Sequence, residues 1–394
     1  MKLDKEILKR QELELPIFYT GTSCADEIHN RITAFHDFLA SYEIDKNRLD
    51  CILLFRDNLQ RMFDEYYLGH QSNAYSAFIS ALPFLFRDAP VIKTHISPAP
   101  LFRARINDSN DDYKDDEMFH IKYSDRGKVG TQRFSFPGLP CLYLGASSYV
   151  CWLELDRPPF EQFQVAIIEQ NVAEGKRKCV LDLSIHPLTF YNELVKRAEG
   201  DKTEHEGLLL EDYLQYWPII AACSIAVKNK NDAFKPEYIF PQFLLQLIIE
   251  EKSADFIGID GIKYMSIKAG WISMKQYESD YRTYTNYVFP IKSKKHTSEG
   301  FCMDLSSYFH IKNNYSGKEL QVLSDLVREK GIKFDGIEDK STIANTLIFG
   351  SNDMGYSYKN SIFGRIEKIL MNTEYEDGEI IFDPVSNDEI DDLF

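Results

Sequence analysis

Around Pro90 to Pro100 this 394-residue chain changes its texture, and the change limits the folds open to it. Before it, apolar residues recur every three or four positions. Ile28, Ile32, Phe35, Leu39 and Tyr42 fall on one helical face. Leu49, Ile52, Leu53, Phe55, Leu59 and Phe63 repeat the pattern. A shorter helix is expected over 74–86, bent by Pro83. Pro90, Pro98 and Pro100 then disfavour helix and predict an extended linker. Beyond it come short β-branched or aromatic runs bounded by Gly, Pro or polar clusters: LFRARI, LPCLYLG, FQVAIIE, KCVLDL, DFIGIDGIKYMS and TNYVFPI. Two helical segments, EDYLQYWPIIAACSIAV and PEYIFPQFLLQLIIEEK, interrupt them. The expected fold is α+β: an all-helical N-terminal domain over 1–95, a mixed domain over 96–292, and a C-terminal extension over 293–394. In the extension, SGKELQVLSDLVREKGI predicts an amphipathic helix with Ser316 as N-cap and Gly331 as C-cap. From Glu374 onward there are nine Asp or Glu and no Lys or Arg, which predicts a solvated acidic tail.

Charge and motifs remove several functions. The formal charge of −16 argues against broad nucleic-acid binding, which relies on clustered Lys and Arg. It leaves room for a local basic pocket that takes a small phosphorylated ligand. The seven cysteines show no zinc-type spacing, and buried thiols in a reducing, cytoplasmic setting are expected. The charged N-terminus has no signal-peptide core, and no apolar run is long enough to span a membrane. GxGxxG, GxxxxGK[ST] and HExxH are all absent, and the nine histidines lack metal-ligand spacing. No cofactor and no metal is expected.

The polar residues between Leu101 and Ser266 suggest a chemistry. Arg103 and Arg105 alternate with Phe102 and Ala104, so the arginines share one strand face. An arginine in a cleft offers a planar fork matched to phosphate oxygens, whereas at a sheet surface it forms a salt bridge. Arg133 precedes a Phe136-Pro137-Gly138 turn and reads either as a second phosphate or ribose contact or as a hairpin arginine. Tyr143, in the apolar run CLYLG, can stack on a flat heterocycle or simply fill the core. Glu154 lies on a helix that Ser147 or Ser148 can cap, beside Trp152. It reads as a partly desolvated carboxylate, or as an ordinary helix glutamate paired with Arg157. Ser266 ends the run DFIGIDGIKYMS, in which Asp260-Gly261 is a turn signal.

These residues together resemble the RES family, named for its arginine, glutamate and serine. The resemblance covers roughly 97–292, about half of the chain. The run Asp260-Gly261-Ile262-Lys263-Tyr264-Met265-Ser266 is similar to the family's Asp-Gly-Ile-x-Tyr-x-Ser. At the family's Gly-Arg-Trp-Asn run this chain has Gln132, Arg133, Phe134 and Ser135. RES proteins resemble ADP-ribosyltransferase-type toxins and degrade NAD. The resemblance implies an ADP-ribosyltransferase-like sheet that clamps NAD as substrate. It implies catalytic roles for Glu154, Arg103, Tyr143 and Ser266, and substrate contacts from Arg133, Tyr264 and Ser135. The implied reaction is cleavage of the nicotinamide–ribose bond, as a NAD phosphorylase or glycohydrolase. Phosphate, water or a protein side chain is the acceptor, and NAD depletion of a toxin–antitoxin or bacterial-defence kind is the outcome. An antitoxin-like protein partner and an oligomer are compatible with it. The alternatives are an ADP-ribosyltransferase that modifies a protein, or a nucleotide-binding module joined to an RNA-directed HEPN-like domain. Arg31 and His36 carry the R-x4-H spacing of HEPN ribonucleases, which a satisfied helix histidine explains better.

One more expectation concerns 107–126, between the two candidate arginines. It holds seven acidic and three basic residues, so a mobile segment that repels NAD is expected there, a lid or a partner-contact loop that restrains activity.

Overall fold

In the computed structural model of the chain the described residues are 2–21, 23–86, 91–109, 111–172, 177–251, 256–269, 281–293, 295–329, 358, 361–372, 374–376 and 379–381. Helices form where the apolar spacing predicts them: α1 (Cys24–Leu39), α2 (Lys46–Tyr67) and α3 (Gln71–Phe86), the last continuing past Pro83. Ser23 and Asp45 cap the first two by accepting from the backbone N–H of Asp26 and Asn47.

The mixed region builds an eight-stranded sheet. Its strands are β1 (Lys93–His95), β2 (Leu101–Ile106), β3 (Cys141–Gly145), β4 (Phe163–Gln170), β5 (Cys179–Leu183), β6 (Gly261–Met265), β7 (Thr285–Pro290) and β8 (Phe309–Tyr315). They lie in the order β1-β5-β6-β7-β3-β2-β4-β8. Only β5 and β6 run parallel, and the other neighbours are antiparallel. The helices α4 (Ser148–Glu154), α5 (Pro187–Ala198), α6 (Leu210–Cys223) and α7 (Ile239–Glu250) connect them. The C-terminal region adds α8 (Gly317–Glu329) and α9 (Ile362–Asn372). Ser316 caps α8 as expected, in a reciprocal pair with Glu319. Gly331 and most of the acidic tail lie outside the described residues. Within that tail, β9 (Glu374–Glu376) and β10 (Glu379–Ile381) pair as an antiparallel ribbon.

Three hydrophobic clusters hold these layers. The largest joins α1–α3 to α6, α7 and one sheet face through Leu181, Leu183, Ile262 and Val288. Phe35 of α1 packs its ring 4.2 Å from that of Trp217 on α6. Burying such a phenylalanine is worth about 1.5–3 kcal/mol. One core therefore runs across the boundary expected near residue 95. A second cluster covers α4 with Phe102, Val165 and Ile167 of the sheet and with Leu320, Phe363 and Leu370 of α8 and α9. The C-terminal region thus supplies both an edge strand and a covering layer. The third lies on the other sheet face, where Leu142, Leu144, Ala166 and Phe289 meet Met118, Phe119 and Phe301.

That third cluster corrects the expectation of a mobile acidic lid. Met118, Phe119 and His120 are buried. The Tyr113 backbone exchanges hydrogen bonds with Gln164, and His120 accepts from the N–H of Cys302. Its acidic side chains point to water while its apolar residues pin the segment to the sheet.

Candidate functional site

A seven-residue helix beside the sheet carries the carboxylate of most interest. Helix α4 starts at Ser147, whose Oγ accepts from Val150 N–H at 3.0 Å and donates to the Thr283 carbonyl at 2.7 Å. The helix packs tightly on the end of β3: a Cβ at Gly145 would sit 2.6 Å from Cys151 Sγ. Glu154 is its last residue. The chain then turns sharply, with Asp156 and Arg157 both left-handed at φ 62° and 59°. Two successive non-glycine residues in that region are costly, which marks a turn held by its surroundings. Lys268 does some of the holding, through the Glu154 carbonyl and the Asp156 carboxylate.

One oxygen of Glu154, Oε1, accepts from Ser266 Oγ at 2.7 Å and from Asn286 Nδ2 at 2.8 Å. Ser266 follows β6 and is fully buried, its own N–H tied to the Tyr284 carbonyl. Asn286 lies on β7 directly opposite Tyr264. Among the described residues no cation pairs with the Glu154 carboxylate, and no donor is bonded to Oε2. The half-buried carboxylate is therefore oriented by two neutral donors and keeps accepting capacity. A small open recess adjoins Ser266, bounded by Leu15, Pro16, Leu183, His186, Ile220 and Ser224.

An aromatic wall continues from this point. Tyr264 packs on Phe134 with ring centroids 4.8 Å apart. Burial, then the nearby Glu154 carboxylate, push its phenol well above the usual range. Tyr143, opposite Val288, donates to Ser135 Oγ at 3.0 Å, and burial raises its phenol as well. Ser135 is buried and acts here as the seat of Tyr143. Its carbonyl, with that of Gln132, accepts from Gln242 of α7. Arg133 donates to the Cys223 carbonyl at 2.9 Å and lies 5.2 Å over the ring of Tyr238. Among the described residues no carboxylate forms an ion pair with it, so its remaining donors suit an anion.

Arg103 is not part of this cluster. In register with Ala166, it points to the sheet face opposite Tyr143, Tyr264 and Asn286. Strands β2 and β3 share only the pair Phe102↔Gly145, and Arg103 bridges the gap by donating to the Tyr143 carbonyl at 3.2 Å. Burial, then neighbouring Arg105, lower its guanidinium to about 10, and its buried Nε has no partner. Arg105 on the same face lies over the ring of Tyr113. The expected grip of Arg103 and Arg133 on one ligand is thus absent from this geometry, because strand alternation separates them. Arg31 and His36 are also apart. Five positions along a helix turn the side chains about 140° from each other. Arg31 bonds the Gln11 carbonyl and His36 bonds Asp37.

A second polar cluster lies behind β6, on the face of Arg103. Asp182 accepts from Lys263 and His205, and Lys263 also pairs with Glu204 at 2.7 Å. His205 bonds Glu193 through its other nitrogen. Asp182, Glu204 and His205 place ligand atoms within 4.8 Å of one another. Even so, the Lys263 ammonium already occupies both carboxylates, and both imidazole nitrogens are engaged. The donor set suits an internal ion network better than a metal. Burial would raise Asp182, yet Lys263 and His205 hold it well below the usual carboxylate range.

Sequence reasoning missed Asn286, Tyr238 and Lys268. Asn286 was within reach: TNYVFP puts an asparagine at the start of an otherwise apolar strand. Tyr238 and Lys268 carry no local signal.

A protein of Bacillus subtilis (strain 168) named "Putative toxin YopC" is 29% identical to this chain over 370 residues. The match spans 91% of this chain and 78% of that protein. No protein-family model and no solved structure matches. Among the described residues no helix is long and apolar enough to cross a membrane.

Proposed function

We propose that the chain cleaves NAD at the nicotinamide–ribose bond and acts as a toxin through NAD depletion. The observation that carries the reading is the Glu154 carboxylate, oriented by Ser266 and Asn286 and left without a cation. Cleavage passes through an oxocarbenium-like state at the ribose C1′. The bond electrons leave with the nicotinamide ring nitrogen and neutralise its charge, while positive charge develops on the sugar. A carboxylate already aligned stabilises that charge without reorganising. An acceptor oxygen, from phosphate, water or a protein side chain, then bonds C1′. Tyr143, Tyr264 and Tyr238 offer ring faces and hydroxyls for the flat and polar parts of the substrate. Arg133 supplies donors for the pyrophosphate. Arg103 serves as a strut between β2 and β3. The name of the B. subtilis relative agrees with a toxic outcome.

The test is product analysis of purified protein with NAD, with and without phosphate. Release of nicotinamide, with ADP-ribose or its 1-phosphate as co-product, is expected. Thermal stabilisation by NAD without nicotinamide release would instead identify a binding module.

A further inference from the structure

We infer that Glu367, on the C-terminal helix α9, is a positioning residue for Glu154 and acts through α4. The inference deepens the function proposed above and rests on the role given there to Glu154. Helix α4 has seven residues and spans about 10 Å. So short a helix closes few internal hydrogen bonds, and its orientation depends on what grips its ends. Its C-terminal end is held by Ser266, Asn286 and Lys268. Its N-terminal end is held from the far side of the sequence. Ser148 donates to Glu367 Oε1 through both N–H, at 2.5 Å, and Oγ, at 2.6 Å. The Tyr358 hydroxyl donates to the same oxygen at 2.6 Å.

Glu367 is only 6% exposed, and no cation pairs with it among the described residues. A buried carboxyl without a cation is costly unless donors hold it. Helix α9 places Phe363, Ile366 and Leu370 in one apolar cluster with Tyr149 of α4, so an aliphatic side chain at position 367 would suit its surroundings. What the carboxyl adds is a three-donor seat at the base of α4. A tilt about that seat moves Glu154 relative to Ser266 and Asn286, and shifts of about 1 Å at a reacting group can cost 10²-fold in rate.

The experiment compares the full-length wild type with Glu367→Ala, Glu367→Gln and Leu370→Ala. Leu370→Ala loosens α9 without removing a hydrogen bond of the seat. Hydrogen–deuterium exchange of the α4 amides is read first, because it needs no activity. Loss of α4 protection in Glu367→Ala, beyond that in Leu370→Ala, is expected. Equal loss in both variants overturns the inference whatever the wild type does with NAD. Nicotinamide release is read second. Glu367→Ala should lower kcat roughly 10–100-fold with KM little changed. Glu367→Gln keeps an acceptor oxygen and should stay within about threefold of wild type. A Glu367→Ala variant with loosened α4 but wild-type kcat also overturns the inference. A wild type that releases no nicotinamide defeats the proposed function instead, and the exchange comparison then decides the seat of α4 alone.

Discussion

Strand β6 has a carboxylate cluster on either side, and the two are built differently. In front, Glu154 is held by a serine hydroxyl and an asparagine amide. Behind, Asp182 is held by an ammonium and an imidazole, which reach on to Glu204 and Glu193. Lys263 and Tyr264, adjacent in sequence, serve opposite clusters because successive strand side chains alternate. Full pairing spends the charge of Asp182 on the fold. Neutral donors fix the direction of Glu154 without cancelling its charge, and that leaves it able to meet a developing cation. On the proposed function, the contrast separates a carboxylate that stabilises structure from one placed for chemistry.

Asp182→Ala should give the largest effect on folding. It leaves Lys263 and His205 buried without their shared partner, a loss of roughly 3–5 kcal/mol. Urea unfolding reads it; a cost under about 1 kcal/mol would mean that the rear cluster is not the structural one. Glu154→Gln should do the reverse. Its melting temperature should stay near wild type while nicotinamide release falls about 10²-fold or more, since an aligned electrostatic contact is worth roughly 3–4 kcal/mol in the transition state. Near wild-type turnover would remove Glu154 from the reaction.

Acidity should divide the regions again. Burial alone would lower His205, but hydrogen bonds to Asp182 and Glu193 raise it to about 9. A raised folded value means that this stability is complete below the unfolded pKa, near 6.5, and is lost as pH rises through about 9. Burial raises Glu367 to about 7, so its contribution is complete below about 4.5 and is lost as pH rises through about 7. Unfolding midpoints of His205→Gln and Glu367→Gln should each flatten one window and leave the other; a single shared window would break the assignment. Arg133→Lys should weaken NAD binding about tenfold, as Lys lacks the bidentate fork. Calorimetric titration measures this, and an unchanged Kd would place the anion elsewhere. Smallest of all, Arg105→Lys should stay within about 0.5 kcal/mol in stability and leave turnover alone.

Much of this was legible in the chain. Helical spacing located α1 and α2, and the run ending in Ser266 marked that serine for the site without saying that it donates to Glu154. The alternation in LFRARI placed Arg103 and Arg105 on one face but could not say which face met Glu154; β2–β4 pairing decides that. Asn286 joins the site only through the β6–β7 register. The insert at 107–126 misled because its charge outnumbers its apolar residues, although Met118 and Phe119 suffice to anchor it. Glu367 was invisible, since nothing local links α9 to a helix so far upstream.

That distance has a consequence for synthesis. Ser148 and Glu367 are 219 residues apart. At about 5–20 residues per second, the ribosome delivers α4 roughly 10–40 s before its seat. Over that interval the helix that carries Glu154 lacks the seat at its base. On the reading proposed here, a chain still being translated consumes the NAD of the cell that is making it far more slowly than the finished protein does.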